Sequence, residues 1–483
     1  MKGYQHLLVR LTGLVVVAVA LAGCAESVPG QAVSIYDDPF RVAGLEATSG
    51  PSGARPSAPD ADVAITNTDG GDVDIMLGNA IADIELYWSQ KFPALFDQEF
   101  EPVKELISWD PTQRRGPTFC GETTEDLPNA GYCTKDHTIG WDREVLLPEV
   151  IAKFGDIAAV FVLAHEYGHA VQTKANIAPA AKVAGIVREQ QADCFAGSFL
   201  RHIAEGESEH FRLNTSDGLN NVLASAVAIG DTDPTNPGNV HGSAFERVTA
   251  VQIGFTNGPS PCERIDQKDI ESRRADLPQR FIDDLDDGEL PVTEESLKMF
   301  ADSFQLIFEL PDPPKLDLDG AALDCPNAEV TQPVSYCPAT NAIGVSVDAL
   351  AERATPTPTS RRDLLSTHLT GDYTAYLLLA SRYTLAIQNH KGEDLHSPET
   401  ALRAACLSGV ITAALSPENP KMLEEGGVWL SPGDLDEAIS GLLTDGLAAS
   451  DVNGRTVPSG FSRVDAFRTG VLEGEAGCHG RYQ

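Results

Sequence analysis

Positive charge is scarce in this chain of 483 residues: 35 Lys and Arg stand against 71 Asp and Glu, a formal net charge of -36. Such a surface repels phosphate backbones and anionic lipid surfaces, which excludes nucleic acid as a partner. Long apolar runs are also missing. The stretch from Leu11 to Ala22 is too short to cross a bilayer comfortably, so it is not read as a membrane span. Residues 25 to 72, including "TSGPSGARPSAPDADVAITNTDGGD", are poor in aromatics and rich in Gly, Pro, Ser and Asp. A segment with so little to bury is expected to be a flexible tether, assigned to residues 24–72, and not a fold.

What the N-terminus does contain is an export layout. Lys2 and Arg10, the apolar run, and small residues ending in Cys24 form the three regions of a signal peptide over residues 1–23. The "LAGC" ending resembles a bacterial lipobox, which implies lipidation at Cys24 and a protein held on the extracytoplasmic face of the cell membrane; ordinary secretion after cleavage near Ala22 is the alternative. Cysteine usage fits an oxidising compartment, because Cys24 aside an even set remains: Cys120, Cys133, Cys194, Cys262, Cys325, Cys337, Cys406 and Cys478.

At 42% hydrophobic and 22% charged, the chain has ordinary globular composition, and its length suits two or three domains. It also repeats itself. "GDIAAVFVLAHEYGHAVQ" (155–172) lies over "GDYTAYLLLASRYTLAIQ" (371–388), "YCTKDHTIG" (132–140) over "YCPATNAIG" (336–344), "ADCFAG" (192–197) over "AACLSG" (404–409), and "FERVTAVQIGFTNG" (245–258) over "FSRVDAFRTGVLEG" (461–474). The eight cysteines fall into two sets of four in the same order, so two homologous domains are expected, at 73–275 and 291–483, with a charged linker at 276–290. The second copy carries an insertion, "AERATPTPTSRRD" (351–363), that reads as an exposed loop. Cys120 with Cys133, and Cys325 with Cys337, bracket turn-rich loops and suit local bridges; the other four are left to pair over long range, with the connectivity open.

The first of the repeated helices carries chemistry. His165 and His169 are four residues apart, so both imidazoles project from one helix face and can hold one cation, and Glu166 beside them can reach a water as general base. This is the H-E-x-x-H signature of zincins. Twenty residues on, "REQQADCFAG" places Glu189 and Asp193 on one face of a second helix. A catalytic zinc needs three protein ligands and an open position, and His165, His169 and Glu189 supply that set. Asp193 is then suited to hold the outer nitrogen of a ligand histidine.

With "HEYGHAVQ", "EQQADCFAG", the Cys-Gly and Tyr-Cys elements and "VHGSAFERV" in order, roughly residues 78 to 262 resemble the neutral zinc metallopeptidases of bacteria, and the lipobox makes the chain most similar to their lipoprotein peptidase branch. The resemblance implies Zn2+ on His165, His169 and Glu189, catalysis by Glu166, and Asp193 behind the site. The chain departs from the family at Ala170, where another His is frequent, and at Phe245, where a polar residue is usual. His241 is the candidate oxyanion partner, by analogy with the downstream His of other Glu-zincins. "YCTKDHTI" is expected to be a short strand along which an extended substrate can lie, with Tyr132 and Ile139 as packing residues.

In the second copy Ser381, Arg382 and Leu385 replace the H-E-x-x-H side chains, and Ala401 and Ala405 replace Glu189 and Asp193, while Tyr383, Gln388, Cys406 and Gly409 persist. The fold class expected is therefore α+β, mainly helical, with two tandem zincin-like domains, the second degenerate. The survival of Cys406 where no zinc can bind argues that Cys194 is not a ligand. The function expected is an exported, lipid-anchored zinc peptidase acting on peptide or protein in the cell envelope. A non-catalytic, zinc-containing scaffold lipoprotein is the runner-up, and an amidase on envelope material shares the same chemistry.

Overall fold

The computed structural model describes residues 38, 40–230, 241–274, 277, 288–355, 364–365, 369–444 and 446–482. The expected signal peptide (1–23), Cys24, residues 276 and 278–287 of the linker and the Thr-Pro part of the insertion lie outside the described residues. From Ile35 onward the chain clusters as one unit. It is mixed α/β, about half helical, with fourteen α-helices and small sheets among the described residues. None of these helices is long and apolar enough to cross a membrane.

The segment expected to be a loose tether is instead stitched down over its described part. β1 (Arg41–Val42) pairs with β2 (Leu45–Glu46), and β3 (Gly53–Ala54) pairs with a strand far along the chain, β9 (Phe211–Arg212). Thr48 N–H donates to Thr215 Oγ1 at 2.8 Å, and Thr66 bridges to Ile107. Backbone groups and small hydroxyls make these contacts, so a scarcity of apolar side chains did not prevent docking.

α1 (Asp72–Phe96) then packs Trp88 and Phe92 into the core. β4 (Glu105–Trp109) follows, then a short hairpin of β5 (Thr118–Phe119) with β6 (Glu122–Thr123), and then β7 (Ala130–Cys133) and β8 (Thr138–Asp142). "YCTKDHTI" is thus two strands joined by a turn, not one: the polar Thr134 to His137 stretch reverses the chain, with His137 in the left-handed region at φ 62°. β8 is central, parallel to β4 and antiparallel to β7, which leaves β7 at the sheet edge. α2 (Leu146–Phe154) leads into α3 (Asp156–Ala175), apolar through its first half and ended by Asn176 in the left-handed conformation at φ 54°. α4 (Gly185–Ala204), α5 (Asp217–Ala228), α6 (Ala244–Asn257) and α7 (Gln267–Arg273) complete the first half.

The second half opens with α8 (Glu294–Phe308) and a sheet of β10 (Lys315–Asp317), β11 (Val334–Cys337) and β12 (Ala342–Val345). Its central strand, β12, is parallel to β10 and antiparallel to β11, the same order and directions as β4-β8-β7. α9 (Val347–Ala354), α10 (Asp372–His390), α11 (Pro398–Ala414), α12 (Pro420–Glu425), α13 (Asp434–Thr444) and α14 (Gly460–Arg481) follow.

Glycine sets the closest helix crossings. A Cβ on Gly197 of α4 would lie 2.2 Å from Val251 O, and one on Gly254 of α6 would lie 1.8 Å from Cys194 O. The α11–α14 pair repeats this, with Gly409 2.1 Å from Phe467 O and Gly470 1.8 Å from Cys406 O. Bridges join Cys120 to Cys133, Cys194 to Cys262, Cys325 to Cys337 and Cys406 to Cys478. Each half thus has one local and one long-range link, as the cysteine order suggested.

The two halves share contacts. Asp436 Oδ1 accepts from Phe245 N at 3.0 Å at the start of α6, and Gln252 Nε2 donates to Phe461 O at 3.0 Å. The rings of Phe255 and Phe461 pack 5.1 Å apart, and Gly460 N donates to Asn220 Oδ1 at 2.6 Å.

Candidate metal centre

α3 and α4 cross at Gly168, where an added Cβ would meet Ala192 Cα at 2.9 Å. That near contact brings the second turn of α4 up against the histidine face of α3. Glu189 Oε2 lies 3.1 Å from His165 Nε2 and 3.3 Å from His169 Nε2, and the two imidazoles are perpendicular with centroids 4.9 Å apart. His165 and Glu189 are buried and His169 is half-buried.

The outer nitrogens decide what these distances mean. His165 Nδ1 is 2.7 Å from Asp193 Oδ1. Gln172 Nε2 donates to Arg188 O at 2.7 Å, which turns Gln172 Oε1 toward His169 Nδ1 at 3.0 Å. Both Nδ1 atoms therefore carry the proton, and both Nε2 lone pairs face a carboxylate oxygen. Three acceptors in van der Waals proximity repel unless protons or a cation sit among them. Zinc bonds of about 2.0–2.1 Å at tetrahedral angles put neighbouring donors roughly 3.3 Å apart, so the spacing and chemistry of this donor set fit Zn2+. Charge alone shows the same demand. Burial disfavours a charged His165, yet Asp193 and Glu189 raise its pKa to about 10. Burial also works against the Glu189 carboxylate, but the two histidines hold it far below the usual carboxylate range.

Asp193 has no exposed surface. Burial opposes its charge, and Arg247 with His165 brings its pKa to about 2. Glu166, half-buried on α3, points its Oε2 at the edge strand, where it accepts the Tyr132 N–H at 2.9 Å. Tyr132 is thus more than packing: its hydroxyl lies 2.7 Å from His137 Nδ1, whereas Ile139 is fully buried in the core. One turn beyond His169, a cavity of about 500 Å³ opens among Lys104, His137, Thr173, Lys174 and Glu101. Its volume is within the range of ligand sites.

His241 is placed by its backbone, whose carbonyl accepts from Gln190 Nε2 at 3.3 Å, one residue along α4 from Glu189. Ala170 and Phe245, the two departures from the family pattern, are both buried. Cys194 is tied to Cys262 and is not a ligand. Two participants were missed, Gln172 and Arg247. Both recur in the second copy, as Gln388 and Arg463, so comparing the copies marks them as packing.

A family model described as "Putative neutral zinc metallopeptidase" matches residues 3–264, more than half of the chain. The chain belongs to this family. As a member of the neutral zinc metallopeptidases it has curated relatives. An uncharacterized protein of Mycobacterium tuberculosis (strain ATCC 25618 / H37Rv) is 29% identical over 177 residues, covering 32% of this chain and 60% of that protein. The uncharacterized protein YpfJ of Escherichia coli (strain K12) is 28% identical over 205 residues, covering 38% of this chain and 68% of its own. The chain therefore spans about 60% of the length of the mycobacterial relatives it matches. No solved structure matches.

Proposed function

We propose that this metallopeptidase-family chain is an exported, lipid-anchored zinc peptidase, and that its halves are tandem zincin-like domains of which the second is degenerate. The carrying observation is the trio of His165 Nε2, His169 Nε2 and Glu189 Oε2, with their lone pairs converging. His165, His169 and Glu189 would hold the ion, and Asp193 and Gln172 fix the two imidazoles. A bound zinc supplies Lewis acidity toward a scissile carbonyl and lowers the pKa of a coordinated water.

Everything else falls to the chain itself. Glu166 takes the water's proton and delivers it to the leaving nitrogen; the Tyr132 N–H on Oε2 keeps this carboxylate aimed and leaves Oε1 for the proton. β7 is the edge strand of its sheet, and an extended peptide is assigned to its side, running toward the cavity beside His137 and Thr173. His241 is assigned to the developing oxyanion. Export, anchoring through Cys24 and an envelope peptide substrate follow from the N-terminal sequence read above.

Degeneracy of the second half is supported by what fills its counterpart site. Arg382, at the position of Glu166, is fully buried and donates to Leu447 O at 2.9 Å and Ser450 Oγ at 2.6 Å. A buried guanidinium bonded to the chain itself thus stands where a general base would be needed. A scaffold with structural zinc is disfavoured by Glu166, since a closed site uses a fourth protein ligand and has no call for a general base.

The test is metal analysis combined with a peptide-library digest. The parent should hold one zinc per chain and cleave peptides in a chelator-sensitive way. Glu166→Gln should keep the zinc and lose at least about 10²-fold in cleavage, and His165→Ala/His169→Ala should lose both. A Glu166→Gln protein as active as the parent would remove the proposed mechanism.

A further inference from the structure

Arg247 sits one turn into α6 and is buried, with both Nε and Nη2 directed at one carboxylate. Nε donates to Asp193 Oδ2 at 2.9 Å and Nη2 to Asp193 Oδ1 at 2.8 Å. The same Oδ1 accepts from His165 Nδ1 at 2.7 Å. A two-pronged guanidinium grip fixes the plane of a carboxylate, which a single donor does not. We propose that Arg247 is a positioning residue of the metal centre: it sets the plane of Asp193, and through it the ring orientation that aims His165 Nε2 at Glu189 Oε2. The inference rests on the zinc reading above.

The second half supplies a comparison within the same chain. Arg463 occupies the position of Arg247, but Ala405 stands where Asp193 would be. Arg463 instead donates to the carbonyls of Leu442, Val457 and Leu443, at 2.6, 2.8 and 3.1 Å. One arginine closes off the end of a neighbouring helix, and the other, on an equivalent helix, is turned onto the carboxylate behind a metal ligand.

The experiment measures zinc affinity on the full chain by competition with a fluorescent chelator, with circular dichroism and thermal melting as the fold control. Arg247→Met should weaken zinc binding roughly tenfold or more. Arg247→Lys should recover little of that, because an ammonium cannot bond both carboxylate oxygens in plane. Arg463→Lys should lower the melting temperature and leave zinc affinity at the parent value. Asp193→Ala/Arg247→Met removes both buried charges, which protects the fold, and should bind zinc no more weakly than Asp193→Ala alone. Parent-like affinity in a folded Arg247→Met protein would overturn the proposal. So would losses that multiply in the double variant, since Arg247 would then act independently of Asp193. If the parent itself binds no zinc, the metal reading falls, a result distinguishable from either.

Discussion

Replacing Gly168 with alanine adds one methyl group where α3 crosses α4. The new Cβ would lie 2.9 Å from Ala192 Cα and 3.0 Å from Ala192 O, against ordinary contact that begins at 3.4 Å, a deficit of about 0.5 Å. The atoms it meets are backbone, so a rotamer change cannot relieve the clash and α4 has to recede. Glu189 lies one turn earlier on the same helix and travels with it. Metal-ligand geometry tolerates displacements of about 0.2 Å, so a shift of this size weakens the site, and zinc binding should fall about tenfold or more, as for loss of an orienting partner. Stability should fall less. Overpacking costs about 1–3 kcal/mol, and alanine returns about 1 kcal/mol of helix propensity over glycine, leaving a loss near 0–2 kcal/mol. Chelator competition reads the first effect and thermal melting the second. A Gly168→Ala protein that melts like the parent and binds zinc as tightly would refute the idea that this crossing sets the ligand geometry.

Two further outcomes follow from other parts of the fold. Cys194–Cys262 closes a separation of 68 residues and Cys120–Cys133 one of 13, so by chain entropy Cys194→Ala/Cys262→Ala should cost about 4 kcal/mol and the local pair about 3 kcal/mol; chemical denaturation that ranks them the other way would discard the entropic account. In the second half, burial first, then Glu289 and Asp372, push the Glu437 carboxyl from 4.5 up to about 8. Because this folded-state value is raised, the stability it contributes is complete below about pH 4.5 and is lost as pH climbs through about 8. The melting temperature of zinc-loaded protein should fall over that window and Glu437→Gln should flatten the fall; an unchanged slope would count against the burial argument.

Much of the candidate site was legible because helical periodicity is a local property. A spacing of four residues puts His165 with His169, and Glu189 with Asp193, on shared faces whatever surrounds them, and two ligand-bearing helices have few ways to satisfy one ion. The disulfides were legible in part: turn-rich loops between Cys120 and Cys133 and between Cys325 and Cys337 pointed to local bridges, and the remaining cysteines of each set were left to pair over long range. What was hidden depends on long-range contacts that composition does not encode. The docking of residues 41–66 combines backbone pairing, as in Ala54 against Phe211 and Thr66 N–H on Leu106 O, with a few scattered apolar side chains such as Val42, Val63 and Ile65, and a polar, glycine-rich segment gives little sign of it. Arg247 was hidden because its counterpart persists in the second copy, so comparing the copies scores it as scaffold. The turn at Thr134 to His137 was missed because the stretch contains neither Gly nor Pro to punctuate the run.

The Asp436 bond to the first amides of α6 has a practical consequence for anyone wishing to trim the protein. The helix that presents Arg247 to Asp193 is capped by its own Ser243 and also gives its Phe245 amide to a carboxylate of the second half, and Phe255 on that helix rests on Phe461. A stop codon after the first copy would strip both away, exposing an aromatic face and unsealing the helix that braces the histidines. The smallest fragment that keeps the geometry around His165 and His169 should therefore include the second half as well.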